Sequence, residues 1–299
     1  MPTKKLRIVL SLTTRDNDYQ IEQANAALEA ARRLDVDLEI LDAQNDASLQ
    51  SQQLLKVVQA SADQSADGII FEPVGTPLAQ VARAAATAGI GWVVLNREVD
   101  YLAELRRTFS VPLFALSSNH EDVGRLQGRQ MAALLPSGGV ALLVQGPSGS
   151  DAAQQRTTGM METKPPNIQV RSMKAQWTEA SAYQAVSSWL RLAIAKDLGI
   201  GLVAAQDDSM ALGARKAFEE HPNREQWLKL PFLGCDGVAT TGQQWVRQGL
   251  LAATVVIPPN AGKAVEMLAQ ALKTKSQPAE RTLINPSSFP PIPSLAPKR

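Results

Sequence analysis

The chain is 299 residues long, enough for two ordinary domains with separate cores. Its 30 Lys and Arg against 29 Asp and Glu leave a net charge of +1, which excludes the basic footprint of a nucleic-acid or anionic-membrane binder. A single cysteine, Cys235, excludes an intrachain disulfide and a multi-cysteine metal site, and no apolar run approaches the roughly 18–20 residues that span a bilayer.

The sequence enters a strand at 6–12 (LRIVLSL) directly after MPTKK. No apolar leader with a small-residue cleavage site precedes it, so either the chain stays in the cytoplasm or an export signal has been removed. SLTTRDNDYQ (11–20) follows, without the glycines that a phosphate or dinucleotide loop would carry, and no cofactor is expected. A helix over 19–34 leads to a strand at 37–42 and a helix over 49–64. Next come a strand at 67–71, a helix over 77–88 opened by Thr76–Pro77, and a strand at 91–95. Residues 99–112 form an irregular excursion with a short charged helix at 101–107, and FALSSN (114–119) marks the division between domains.

The second half repeats the pattern. Strands at 139–145, 168–173, 201–205, 230–234 and 251–257 alternate with helices over 120–135, 150–162, 178–196, 208–220, 240–248 and 260–274. Ser150 and Thr178 are placed to cap two of these helices. The ending, NPSSFPPIPSLAPKR, reads as an extended or frayed terminus. Such alternation specifies βαβ units and parallel sheets covered on both faces. The fold class is therefore α/β, in two doubly wound parallel-sheet (Rossmann-like) domains.

In open α/β sheets the ligand lies beyond the carboxyl ends of the strands, so the residues after each strand carry the functional reading. They are Thr13, Asn17, Tyr19 and Gln20 after the first strand, Glu72 after the third, and Asn96 and Arg97 after the fourth. In the second half they are Arg156, Trp177, Asp207 and Asp236. Planar carboxylate, amide and guanidinium groups bind vicinal hydroxyls bidentately, and Tyr and Trp offer flat faces to a sugar ring. Asn and Asp after a strand also cap the next helix, and Asp208 is assigned that role alone.

Six stretches in order resemble the ribose-binding-protein family of periplasmic sugar receptors, a fold shared with the effector domains of lactose-repressor-type regulators. They are LDAQND (41–46), ADGIIFEPV (66–74), SGSDAAQQRTTG (148–159), AAQDDSMALGA (204–214), LGCDG (233–237) and GLLAATV (249–255). The resemblance implies two lobes joined by a three-segment hinge, 1–117 with 258–283 and 118–257 with 284–299, closing on a ligand in the cleft. It matches Asn17, Arg97, Arg156 and Asp236 to sugar-binding positions and Tyr19 and Trp177 to aromatic ones. Gln20 and Cys235 replace phenylalanines, Glu72 and Asp207 replace asparagines, Asn96 an aspartate and Ile257 a glutamine, so ribose is not the expected ligand. Three acids against two arginines suit a hydroxyl-rich neutral ligand and admit one bearing an amine.

The expected function is that of a monomeric receptor for a monosaccharide or polyol, with a membrane permease or chemoreceptor as partner and a periplasmic location. A cytoplasmic sensor acting through a regulatory partner is the alternative. No helix-turn-helix precedes the first strand, so no nucleic-acid partner is expected. Enzymatic activity is not expected either. His120 and His221 read as surface residues, Cys235 as a packed small side chain, and only the carboxylates keep acid–base chemistry open.

Overall fold

The structure is a computed structural model that describes residues 5–75, 78–192 and 199–295. A first compact unit runs to Ser118 and contains β1 (Arg7–Leu12), α1 (Asp18–Leu34), β2 (Asp37–Asp42), α2 (Ala47–Val58), β3 (Gly68–Phe71), α3 (Ala79–Thr87), β4 (Gly91–Leu95), α4 (Tyr101–Thr108) and β5 (Leu113–Ser118). A second unit begins at Asn119. It contains α5 (His120–Leu134), β6 (Gly139–Gln145), α6 (Asp151–Thr163), β7 (Ile168–Lys174), α7 (Glu179–Leu190), β8 (Ile200–Ala205), α8 (Asp208–Glu219), α9 (Arg224–Trp227), β9 (Phe232–Asp236), α10 (Gly242–Arg247) and β10 (Ala253–Val256). The chain then returns to the first unit for α11 (Ala261–Thr274) and β11 (Arg281–Ile284), and ends in the second with β12 (Ser287–Phe289).

Each unit is built on one six-stranded sheet. The first has the order β11-β5-β4-β3-β1-β2, with every pairing parallel. The second has the order β12-β10-β9-β8-β6-β7 and is parallel except for β12, which runs antiparallel to β10. In both sheets the second strand of the unit lies outside the first, so the direction of winding reverses between β1 and β3 and between β6 and β8. A crevice opens at such a switch point, at the carboxyl ends of the strands.

The side-chain period of two divides each strand between two cores. Ile8, Leu10 and Leu12 face α1 and α11, while Val9 joins Ile69, Phe71 and Trp92 on the face covered by α2, α3 and α4. Each of these fully buried aliphatic side chains contributes about 1.5–3 kcal/mol. In the second unit Leu142 and Val144 pack with α7 and α8, and Ala141 and Leu143 pack with the α5–α6 face. The central strand β4 is buried throughout, whereas edge strands β2 and β7 expose Asp37, Glu39, Arg171 and Lys174, charges that discourage further strand pairing.

The structure corrects several expectations. The helix expected over 49–64 ends at Val58, and a separate 3-10 turn spans Ala62–Gln64. Three strands went unpredicted: β5, β11 and β12. The described part of the tail, 285–295, is tied to the second sheet. Ser287–Phe289 pair with Thr254–Val256, Ser288 Oγ accepts from Gln130 Nε2 at 2.9 Å, and the Arg247 guanidinium lies 5.1 Å from the Phe289 ring centre. Pro290 and Pro291 fall just past the paired residues, where no ladder N–H is needed. The helix start at Thr76–Pro77 lies outside the described residues, as do 193–196 of the helix expected to run to 196. Among the described residues no helix is long and apolar enough to cross a membrane.

Candidate functional site

At the first switch point the residues after β1 and β3 meet. Asn17 caps α1, its Oδ1 accepting from Gln20 N–H at 2.9 Å. Thr13 and Tyr19 are half-buried beside it, and the Thr13 carbonyl accepts from Asn45 N–H at 2.7 Å. Gln20 is buried and donates through Nε2 to Glu72 Oε2 at 2.9 Å. The other carboxylate oxygen, Glu72 Oε1, accepts from Asn96 Nδ2 at 3.1 Å. Burial pushes the Glu72 carboxyl above its ordinary range, against the two amide bonds that hold it down.

Behind Glu72 runs a chain of amides that the sequence did not announce. Ala261 N–H donates to Gln23 Oε1 at 2.8 Å, Gln23 Nε2 to Asn260 Oδ1 at 2.8 Å, and Asn260 Nδ2 to Asn96 Oδ1 at 2.6 Å. Ser118 N–H also donates to Asn96 Oδ1, at 3.2 Å. A backbone N–H can only donate, so Ala261 and Ser118 fix the orientation of every amide in the chain and turn Asn96 Nδ2 toward Glu72. Asn96 adopts a left-handed backbone, φ 54°, and Arg97 follows it half-buried. The one available signal was Asn260, which stands just past a strand in IPPN (257–260).

The second switch point has a different chemistry. Arg156, on α6, is buried; its Nη1 donates to the Gln206 carbonyl and its Nη2 lies 3.6 Å from Asp236 Oδ1. Its guanidinium carbon stands 5.5 Å from the centre of the Trp177 ring. A methyl group on Gly146 would come within 2.3 Å of that ring, so only glycine lets the indole lie over the end of β6. Gln206 ties the neighbouring loops together, accepting from Gly146 N–H at 2.9 Å and donating to Ala153 O at 3.0 Å and Thr157 Oγ1 at 2.9 Å. Ile257 is buried after β10; its N–H donates to the Asp236 carbonyl at 2.9 Å, and its side chain offers no polar atom.

The aspartate doublet reverses the expected roles. Asp207, not Asp208, caps α8, accepting from Met210 N–H at 2.9 Å. Burial raises the Asp207 carboxyl, opposed by that bond, by a hydrogen bond with the Asp236 carboxyl and by the charge of Arg156. Asp208 points inward instead, accepting from Gly237 N–H at 2.7 Å and bonding Thr254 Oγ1 at 2.6 Å. Methyl groups on Gly234 or Gly242 would collide with its carboxyl oxygens at 2.0 and 1.9 Å. Burial first, then the charge of Asp236, lifts the Asp208 carboxyl well above the usual range. Through Gly237 it anchors Asp236, whose φ of 95° is left-handed and strained for a residue with a side chain.

His120 is likewise not a surface residue. It is 6% exposed at the start of α5, and neither ring nitrogen has a hydrogen-bond partner. Burial, then the charge of Arg156, pushes its pKa down to about 3. His221 is half-buried and accepts through Nδ1 from Asn223 N–H at 3.1 Å and Trp227 Nε1 at 3.3 Å. Cys235 is fully buried against Gln127, and burial pushes its thiol well up. Neither the thiol nor the imidazole at this end is poised for attack or proton transfer near neutral pH. What both sheet ends present is an array of oriented donors and acceptors, with one indole plate in the second.

A model of the periplasmic binding protein domain matches residues 8–276. The chain is 32% identical over 220 residues to a putative rhizopine-binding protein of Rhizobium meliloti, covering 70% of this chain and 66% of that one. It is 24% identical over 269 residues to a ribose import binding protein of Salmonella typhimurium, covering 89% and 84% of the two chains. Among solved structures, an ABC transporter periplasmic solute binding protein from Actinobacillus succinogenes with bound D-allose superposes with a TM-score of 0.82 at 23% identity, covering 95% of this chain and 97% of that one. The chain belongs to the periplasmic binding protein family.

Proposed function

We propose that this periplasmic binding protein is the solute receptor of an ABC-type sugar transporter and takes a monosaccharide or polyol that need not be ribose. Thr13, Asn17, Tyr19, Gln20, Glu72, Asn96 and Arg97 contribute from the first lobe, and Arg156, Trp177, Asp207, Asp236 and Ile257 from the second. The lobes close as the ligand binds, a membrane permease reads the closed form, and the ligand is not chemically changed. An extracytoplasmic location goes with this reading.

One observation carries it. At both switch points planar hydrogen-bonding groups are locked in orientation by the protein, and in the second one of them, Arg156, stands over an indole that packs on Gly146. Hydroxyl-dense rings with apolar faces fit such a set. The printed names of the relatives, for ribose import and rhizopine binding, support the same class. The test is a thermal-shift panel of sugars and polyols at millimolar concentration, with each stabilising compound recovered and assayed. The expected result is stabilisation by a hydroxylated ring compound that is recovered intact. A panel without any stabilising member, or a ligand that is consumed, overturns the reading.

A further inference from the structure

Two amides of the first unit, Gln23 on α1 and Asn260 just before α11, are 0% exposed and lie behind the residues that follow the strands. Asn260 stands at the cap position of α11 yet makes no side-chain cap bond. Gln23 supplies that bond from the neighbouring helix, its Oε1 accepting from Ala261 N–H at 2.8 Å. The helices meet closely here, since a methyl group on Gly262 would come within 2.7 Å of the Ala26 carbonyl oxygen. Asn260 is thereby released to accept from Gln23 Nε2 and to donate to Asn96 Oδ1 at 2.6 Å. Buried amide pairs serving stability alone are replaceable by apolar groups at little cost, whereas a bonded chain specifies one arrangement. What this chain specifies is the amide of Asn96. Its Oδ1 accepts from Ser118 N–H, where the sequence leaves the first unit, and from Asn260, one residue past its return at Pro259. With Oδ1 so occupied, it is Nδ2 that faces Glu72 Oε1.

We propose that Gln23 and Asn260 are positioning residues of the ligand site: acting through Asn96, they keep its Nδ2 toward Glu72 and so set the hydrogen-bonding face that the first lobe offers a ligand. This rests on the receptor reading above and adds to it two residues that touch no ligand. Because the chain has one polarity, an inversion at a buried amide is passed on to Asn96. Asn260→Asp makes such an inversion: Gln23 Nε2 keeps its acceptor, but Asn96 meets an acceptor where it had a donor. The charge-assisted bond that Asn96 gains by turning outweighs the bond from Ser118 N–H, which is long at 3.2 Å. Asn96 Oδ1 then faces Glu72. Asn260→Ala breaks the chain without inverting it, and Ser118 N–H still holds Asn96 in its native sense.

The test compares the full chain with both variants at about pH 8, above the ordinary carboxylate range. In ligand-free NMR the Ser118 amide proton of Asn260→Asp is expected to move upfield and to exchange about five- to tenfold faster, having lost its acceptor. In Asn260→Ala it is expected to stay near its wild-type position. Calorimetric titration with D-ribose, D-allose and myo-inositol reads the consequence for binding. For the compound that binds the wild type, affinity is expected to fall at least about tenfold in Asn260→Asp and about threefold in Asn260→Ala. A role in stability alone lowers the melting temperature of both variants and leaves the affinity of the folded chains unchanged. That result overturns the proposal, as does an unmoved Ser118 signal in Asn260→Asp. Should Asn260→Asp fail to fold, the wild type decides: the bound compound is expected to shift the side-chain amide signals of Gln23 and Asn260 along with that of Asn96, and silence at the first two overturns the proposal. A wild-type chain that binds none of the three compounds counts against the receptor reading alone, since the Ser118 signal still decides the positioning.

Discussion

The two sheet ends share a topology and differ in electrostatics. In the first, neutral amides run in one direction from the backbone of α11 to a lone carboxylate at Glu72. In the second, Arg156 lies among acids, within 3.6 Å of Asp236 and acting on Asp207, with Trp177 against its face. The amide chain turns Asn96 Nδ2 toward Glu72 without contributing charge. The guanidinium meets the acids of the second end internally, which leaves oriented acceptors and a flat plate. The switch point supplies the place, and the residues after each strand decide what is held there.

Arg156→Ala breaks this contrast most severely, because it removes the cation that lies 3.6 Å from Asp236 and opposes the rise of the Asp207 carboxyl. It leaves Asp207 buried without that charge, with an expected loss of about 3–5 kcal/mol in unfolding free energy and of ligand binding. Urea denaturation and a thermal-shift assay check both. Arg156→Lys keeps the charge but not the planar fork, and is expected to recover stability better than binding.

Gly146→Ala probes the plate alone. The added methyl must displace the Trp177 ring, with an expected cost of about 1–3 kcal/mol and a tryptophan emission change at the second end. Binding weakened without any change at Glu72 separates the plate from the carboxylate. An unchanged emission spectrum and affinity contradict the assigned contact.

His120 gives a pH signature. Its folded pKa, about 3, lies below the ordinary imidazole value of 6.5, so the unfolded chain binds the extra proton between these values. Stability from this group is present above pH 6.5 and is lost as the pH falls toward 3, by up to about 1.4 kcal/mol per pH unit. His120→Asn is expected to flatten that slope by close to one proton, measured by denaturation from pH 7 to pH 4. Asp208 has the opposite sign and a smaller expected effect. Its folded pKa is raised, so its contribution is complete at low pH and declines as the pH climbs through the raised value. Asp208→Asn keeps one acceptor for Gly237 and is expected to leave the protein as stable as wild type at pH 8, with a loss appearing only near pH 4.

The alternation of buried runs and amphipathic stretches made most of the βαβ order legible, since central parallel strands such as GWVVL (91–95) are apolar throughout. Strand β12 was hidden because three residues before a proline pair carry no period, and its pairing depends on the exposed edge of β10. At the sheet ends, residue types after each strand singled out the loops to examine, but local spacing could not say which partner each residue would find. Asp207 and Asp208 are both plausible caps in sequence; only the small residues at 234, 237 and 242 decide that Asp208 turns inward. His120 reads as a polar helix start, and its burial follows from tertiary packing beside Arg156. The amide chain joins residues as far apart as Gln23 and Asn260, beyond any local pattern.

The proposed receptor function has residues of both lobes binding one ligand. The most direct measurement is calorimetric titration of the best ligand from the panel into the wild-type chain, Trp177→Ala and Asn96→Ala. The account predicts one ligand per chain and at least about tenfold weaker binding in each variant, the first altering only the second lobe's end and the second only the first lobe's. Full affinity in either variant contradicts it.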